Sequence, residues 1–158
     1  GEVIGVDFTL PMLERAPSKT ERTLWVQGDA LALPIADESI DVATIAFGLR
    51  NVEDRRRSFR EMLRVLRPGG KLLILEFGMP DQDAFGKLYR SYLTHLLPRI
   101  GGALSGDRAA YTYLDDTVQG WPDAETLRAE MAEDGFVRCK VERLWRGIAC
   151  LHVGERPR

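Results

Sequence analysis

The run FGLRNV, Phe47–Val52, contains the side chains of this sequence that are best placed for chemistry. An apolar stretch, Asp41–Ala46, precedes it and is typical of a buried parallel strand, and Glu53–Leu66 follows with helical spacing. Arg50 and Asn51 are therefore expected at the carboxyl end of a strand, where open α/β sheets bind ligands. A fixed cation beside an amide can stabilise a developing oxyanion or orient a phenolic ring. The alternative is that Arg50 forms a salt bridge that locks the loop.

Three carboxylates are expected at the ends of other strands. Asp7 can accept both hydroxyls of a ribose, or it can cap the helix that follows. Asp29 and Ala30 can read an adenine edge through a small polar side chain and a backbone N–H, and an Asx-turn is the alternative. Glu76 can act as a general base or pair with Arg50, and we favour the pairing.

The elements that must position these residues alternate between strands and helices. Such alternation predicts βαβ units and a parallel sheet. The last two segments alternate like an antiparallel hairpin at the sheet edge, where we expect His152 to have no chemical role. In chain order the expected elements are Val3–Asp7, Leu10–Arg15, Thr23–Gln27, Asp41–Ala46, Glu53–Leu66, Lys71–Phe77, Asp123–Asp134, Phe136–Leu144 and Gly147–Gly154.

A segment of about residues 80–121 departs from this pattern and reads as a helical insert. Ala84–Leu97 carries an apolar stripe at helical spacing, which faces either the core or an apolar ligand. Tyr111 and Tyr113 can line a pocket through ring and hydroxyl together, or they can be ordinary core residues. We expect the insert on the substrate side of a single domain that spans residues 1–158.

Composition narrows the class of protein. The chain has 158 residues, of which 44% are hydrophobic, enough for one domain with a core. The balance of 22 basic and 24 acidic residues argues against nucleic acid as a partner, and Arg55–Arg57 is expected to be a solvated helix face. Two histidines and two cysteines without metal spacing predict no metal site. We interpret the two cysteines as buried thiols in a reducing cytosol, so we expect a cytoplasmic protein. No apolar run has the length of a membrane span, so we expect any membrane contact to be peripheral, at the inner face.

Several short motifs along the chain point to one family. They are GDALALP at 28–34, FGLRNV at 47–52, RVLRPGG at 64–70, LEF at 75–77, LPRIG at 97–101, YTYL at 111–114 and the run 147–152. Together they resemble the quinone-biosynthetic C-methyltransferase family, the UbiE/COQ5/MenG group, over nearly all of residues 3–154. The RVLRPGG motif marks only a broad class of S-adenosylmethionine-dependent methyltransferases, whereas FGLRNV followed by LEF and LPRIG is far more specific.

The resemblance implies both a fold and a reaction. The fold is α/β, a class I, Rossmann-like methyltransferase with a mostly parallel sheet and an antiparallel C-terminal hairpin. The reaction transfers a methyl group from S-adenosyl-L-methionine to a ring carbon of a polyprenylated hydroquinone, giving menaquinol or a ubiquinol precursor. A homodimer and association with other quinone-biosynthesis proteins are both compatible with the family. The rival functions are methylation of another small apolar substrate, and a non-catalytic binding subunit of the same fold.

The resemblance also assigns cofactor contacts to four residues. Asp7 matches the ribose-binding acidic residue of the family. Asp29 and Ala30 match the adenine-side pair, although many relatives have asparagine in place of Asp29. Ala46 stands where several relatives have a serine that touches the cofactor, so this contact is lost or made by the backbone.

The chemistry of carbon methylation suggests a mechanism for this site. A hydroquinol becomes a carbon nucleophile as a hydroxyl loses its proton. On this hypothesis Arg50 stabilises the oxyanion, Asn51 fixes the orientation of the ring, and a water held by Arg50 and a nearby carboxylate takes the proton. The stripe on Ala84–Leu97 then covers the prenyl tail, and Tyr111 and Tyr113 contact the substrate.

The sequence departs from the family at its start. The family begins with a strand and a glycine-rich loop that cradles the methionine end of the cofactor, and this sequence starts after both. The missing strand lies between Val3–Asp7 and Asp41–Ala46 in the family, so two rows of backbone groups are expected to lack partners. The explanations are a truncated gene, a strand supplied by a partner chain, or a sheet that closes differently, and we favour truncation.

Overall fold

A computed structural model of the chain describes residues 1–16, 23–81, 83–96, 117–118 and 120–158. Its strands are β1 Val3–Asp7, β2 Thr23–Gln27, β3 Ile40–Ala46, β4 Leu66–Phe77, β5 Val137–Leu144 and β6 Ala149–Glu155. Its α-helices are α1 Leu10–Arg15, α2 Arg55–Val65, α3 Ala84–Ser91 and α4 Ala124–Glu133. Short 3-10 helices occupy Leu49–Asn51 and Trp145–Gly147, and a π-helical turn covers Tyr92–Leu96. The expected alternation of strands and helices is confirmed.

The strands form two sheets. β1 and β2 pair in parallel, from Val3 opposite Thr23 to Asp7 opposite Gln27. The second sheet has the order β3-β4-β6-β5, in which β3 and β4 are parallel and only β6 runs against its neighbours. No ladder joins β1 to β3 within the described residues, and this is where the family pattern places its first strand. The mostly parallel sheet and the C-terminal antiparallel hairpin are both confirmed.

The hairpin differs from the expectation in which strand is outermost. β6 lies between β4 and β5, so the edge of the sheet is β5 and the prediction that His152 is on an edge strand is wrong. His152 is buried, and its Nε2 donates to the carbonyl oxygen of Ala124 at 2.9 Å, at the start of α4. Burial lowers the pKa of His152, so the neutral ring is the form that the fold favours.

One face of the four-stranded sheet packs against α2 and α4. Both helices begin with an aspartate cap: Asp54 accepts from the backbone N–H of Arg57, and Asp123 accepts from those of Glu125 and Thr126. Each buried large apolar side chain contributes about 1.5–3 kcal/mol to folding, so this layer holds the sheet in place. The core residues are Leu49, Phe59, Met62, Leu66, Leu72, Ile74, Leu127, Met131 and Phe136.

β4 begins at Leu66, five residues before the expected start at Lys71. The register with β3 shifts here, because Ile40 pairs with Leu66 whereas Val42 pairs with Lys71. Gly70 permits the bulge: a Cβ on it would lie 2.9 Å from the carbonyl oxygen of Arg67. The Pro-Gly-Gly run therefore displaces the chain within an extended segment and does not simply end the preceding helix.

The apolar stripe of the predicted insert is divided in the structure. Leu93 is buried, whereas Leu88, Tyr92 and Leu96 are exposed among the described residues. The α-helical part ends at Ser91, earlier than the expected Leu97, and continues as the π-helical turn. Among the described residues, no helix is both long enough and apolar enough to cross a bilayer.

Candidate active site

The turn after β3 directs Arg50 towards β4. β3 ends at Ala46, and Phe47 has a left-handed backbone with φ of 54°, with its N–H donating to the carbonyl oxygen of Leu75 at 2.8 Å. Leu49 is fully buried in the core and anchors the 3-10 helix that follows. A left-handed residue and a buried leucine thus fix the direction of the turn.

Arg50 and Glu76 form a nearly buried ion pair. Arg50 Nη1 donates to Glu76 Oε2 at 2.9 Å and to the carbonyl oxygen of Phe47 at 2.6 Å. The side chains are 12% and 1% exposed, respectively. Glu76 also accepts from the backbone N–H groups of Arg50 and Phe77, at 3.3 and 3.2 Å. The predicted pairing of Glu76 is confirmed, and the salt bridge proposed as the alternative for Arg50 is present.

The ion pair leaves a buried donor of Arg50 unused. Its Nε–H is buried and has no hydrogen-bond partner among the described residues. A buried donor without an acceptor costs about 1–3 kcal/mol, so an acceptor that reaches this position recovers free energy. Arg50 can therefore hold its loop through Glu76 and still offer an N–H to a ligand or a water.

A cavity of about 370 Å³ lies beside Arg50. Asn51 and Val52 continue its lining from the 3-10 helix. Arg55, from the first turn of α2, and Trp121, from the segment before α4, also line it. Its volume falls within the range of small-molecule sites, and it brings both predicted catalytic residues together.

The two predicted cofactor carboxylates are held by local turns. Asp7 Oδ1 accepts from both the backbone N–H and the hydroxyl of Thr9, each at 2.7 Å. Asp29 Oδ1 accepts from the backbone N–H of Leu31 at 2.8 Å, so the Asx-turn weighed against the adenine role is present. Because one oxygen of each carboxylate makes these bonds, the other remains chemically able to accept a hydroxyl or an amine.

The four cofactor candidates are divided: three lie at or just after the ends of β1 and β2, and one ends β3. Asp7 and Asp29 follow paired strands, and the N–H of Gly28 between them donates to the carbonyl oxygen of Asp7 at 3.0 Å. Ala30 follows Asp29, whereas Ala46 ends β3 in the other sheet. None of these four residues lines the 370 Å³ cavity. The positions of Asp7, Asp29 and Arg50 at strand ends predict that they share the rim of one crevice, and this stays a prediction.

Tyr111 and Tyr113 lie outside the described residues. The LPRIG motif, residues 97–101, lies there as well.

Sequence reasoning missed Arg55 and Trp121. The prediction that Arg55–Arg57 is only a solvated face is wrong for Arg55, whose Nε and Nη2 donate to Glu130 Oε2 and Oε1 at 2.7 and 2.6 Å. Its guanidinium carbon lies 5.7 Å from the centroid of the Trp121 ring. The sequence does contain an acidic residue on α4, Glu130, that can pair with this arginine. Two helices so far apart in sequence leave no local pattern that predicts the pairing.

Comparison with known proteins supports the family. The model of the ubiE/COQ5 methyltransferase family matches residues 1–156. The demethylmenaquinone methyltransferase of Thermus thermophilus is 46% identical over 99% of this chain and 72% of its own length. The ubiquinone/menaquinone biosynthesis C-methyltransferase UbiE of Roseobacter denitrificans is 41% identical over 98% of this chain and 64% of its own length. The chain thus spans about two thirds of these relatives.

Solved structures support the fold. A SAM-dependent methyltransferase from Thermotoga maritima has a TM-score of 0.69 at 21% identity, covering 98% of this chain and 72% of its own. A Haemonchus contortus phosphoethanolamine N-methyltransferase 2 in complex with S-adenosyl-L-methionine has a TM-score of 0.65 at 16% identity, covering 99% of this chain and 44% of its own. The fold is that of S-adenosylmethionine-dependent methyltransferases, and the chain belongs to the ubiE/COQ5 methyltransferase family.

Proposed function

We propose that this protein methylates a ring carbon of a polyprenylated hydroquinone, with S-adenosyl-L-methionine as the methyl donor. The substrate is demethylmenaquinol or the equivalent ubiquinol precursor, in line with the names of the relatives. Arg50 and Asn51 are the residues that contact the ring, and Tyr111 and Tyr113 remain candidates for further substrate contacts.

The observation that carries this proposal is the unused donor of Arg50. A buried Nε–H without a partner, on a residue that lines a cavity, favours an oxygen ligand that is negative or becomes so. Glu76 keeps the guanidinium in place and balances its charge before the ligand arrives. Because Glu76 already holds Arg50, the guanidinium is fixed before an oxyanion binds, which is the condition for preorganised stabilisation.

The chain's own residues then have distinct tasks. Arg50 donates to the oxygen that loses its proton, which makes the adjacent ring carbon more nucleophilic. Asn51 fixes the rotation of the ring so that this carbon is in line with the methyl group. A water held by Arg50 and a nearby carboxylate receives the hydroxyl proton. The bound cofactor supplies an electrophilic methyl group on a sulfonium.

The residues expected to hold that cofactor suit its ribose and its adenine. The carboxylates of Asp7 and Asp29 follow neighbouring strands and are each fixed by a turn, which suits the hydroxyls of a ribose and the exocyclic amine of an adenine. Ala30 offers a backbone N–H beside Asp29, and Ala46 lies at the end of β3.

The exposed apolar side chains of α3 and the turn after it suit a prenyl tail. Leu88, Tyr92 and Leu96 recur every four residues and are exposed in the part of the chain that the structure describes. A tail that extends along them brings the enzyme into peripheral contact with the membrane that holds its substrate.

Arg50→Lys is the sharpest test of the role of Arg50. Lysine keeps a cation that can pair with Glu76 but has no equivalent of the unused Nε–H. We expect kcat/KM for a reduced demethylmenaquinol analogue to fall by about 10²–10³ while the protein stays folded by circular dichroism. Arg67→Lys is the matched control, because Arg67 pairs with Asp41 on the surface, and it should leave kcat/KM unchanged. Equal turnover by folded Arg50→Lys and the parent would remove Arg50 from the chemistry.

A further inference from the structure

The cavity beside Arg50 contains a second pair of residues whose types suit recognition of a ring. Trp121 and Arg55 both line it, together with Arg50 and Asn51. Neither is part of the catalytic pair proposed above. The cavity therefore offers an indole and a second guanidinium to a ligand, in addition to Arg50 and Asn51.

Trp121 and Arg55 hold each other in fixed positions. The Trp121 ring packs against the edge of the core, and its backbone N–H donates to the carbonyl oxygen of Val118. The Arg55 guanidinium lies over the ring and is itself held by two hydrogen bonds to Glu130 on α4. The pairing with Glu130 raises the pKa of Arg55, so this cation persists at every physiological pH. Bidentate pairing and cation–π contact together leave the indole little freedom to turn.

A fixed aromatic surface of this kind recognises a flat, electron-rich ring. Offset stacking between two aromatic rings contributes beyond the area that it buries, and tryptophan offers the largest such surface. We propose that Trp121 is positioned by Arg55 on one face of the indole, and that the hydroquinone ring stacks on the face that Arg55 does not cover while Arg50 and Asn51 contact its oxygen. This inference rests on the proposed function and assigns the ring subsite within it.

Fluorescence quenching tests the contact without requiring turnover. The chain has three tryptophans, so Trp25→Phe/Trp145→Phe leaves Trp121 as the only one. Titration with tail-less 1,4-naphthoquinol under anaerobic conditions should quench this variant with a saturable curve. The matched control is Trp25→Phe/Trp121→Phe, in which the exposed Trp145 remains and quenching should rise linearly by collision. Linear quenching in both variants, or equal saturation in both, would overturn the assignment.

Steady-state kinetics separates stacking from a purely structural role. Trp121→Leu should raise KM for the quinol about fivefold with kcat nearly unchanged, and Trp121→Phe should recover most of that loss. Arg55→Met should also raise KM. Arg56→Met is the matched control and should not: Arg56 also pairs with an acidic residue, Asp134 at the end of α4, but it does not line this cavity. An unchanged KM in folded Trp121→Leu would contradict the proposal.

The two proposals can fail separately. If the parent methylates the quinol but Trp121 shows neither saturable quenching nor an effect on KM, the ring subsite is wrong and the function stands. If Trp121 is quenched saturably and the ring is never methylated, the subsite stands and the proposed function is wrong.

Discussion

The Arg50–Glu76 pair predicts a large, measurable coupling between two buried charges. Glu76 is 1% exposed and accepts from Arg50 Nη1 and from two backbone N–H groups. Arg50→Met removes the only cation that it contacts among the described residues and leaves a buried carboxylate with the two amides alone. Breaking a buried pair on one side costs about 3–5 kcal/mol, which is a large part of the stability of a domain this size.

The other single change should be milder. Glu76→Gln keeps the shape and one acceptor oxygen, and it leaves a cation that is 12% exposed and reaches water. We expect a loss of about 1–3 kcal/mol for it. The double variant has no buried charge, so it should be destabilised by at least about 2 kcal/mol less than the sum of the two single changes.

Urea unfolding of the parent, both single variants and the double variant measures this coupling. The surface pair Arg67–Asp41 is a matched control, with side chains 51% and 78% exposed at 2.6 Å. Arg67→Met and Asp41→Asn should couple by less than about 1 kcal/mol, and salt should remove that coupling. If the losses of unfolding free energy at Arg50 and Glu76 add within about 0.5 kcal/mol, the predicted coupling is absent and the two charges do not depend on each other.

Three further changes test other parts of the fold. Because burial lowers the pKa of His152 below its ordinary 6.5, the unfolded state binds more protons as pH falls below that value. The unfolding free energy should then decline with falling pH by up to about 1.4 kcal/mol per pH unit. Urea titrations should show that His152→Gln removes this pH dependence, whereas the control His95→Gln, at an exposed residue, leaves the pH dependence unchanged. Asp123→Ala should cost about 1 kcal/mol by loss of the α4 cap, seen as a lower urea midpoint. Gly70→Ala should lower the thermal midpoint by several degrees, because its Cβ meets backbone oxygens at 2.9 and 3.0 Å, and an unchanged midpoint would show that the bulge can relax.

Local sequence patterns were sufficient for the elements that carry the site. The strand Val3–Asp7 and the helix Leu10–Arg15 have the predicted bounds. The pairing of Glu76 with Arg50 followed from their positions at the ends of neighbouring strands, since a buried carboxylate needs a cation nearby.

Features that depend on packing between distant segments were not predictable in this way. The early start of β4 depends on the close contact between Gly70 and the backbone of β3. The spacing of apolar residues in the sequence does not predict that contact. The predicted edge position of His152 was wrong because alternating polarity marks a strand at an edge or beside one equally well. Arg55 and Trp121 were missed because their contact joins the start of α2 to the segment before α4.

The atom that receives the methyl group distinguishes carbon methylation of the quinol ring from methylation of a hydroxyl oxygen. Purified protein, expressed from its complete open reading frame, would be given S-adenosyl-L-methionine with an isotopically labelled methyl group and an anaerobically reduced demethylmenaquinol. Nuclear magnetic resonance of the product should place the label on a ring carbon, with none on oxygen. Label on a hydroxyl oxygen, or no transfer by a protein that binds S-adenosylhomocysteine tightly, would contradict the proposed carbon methylation.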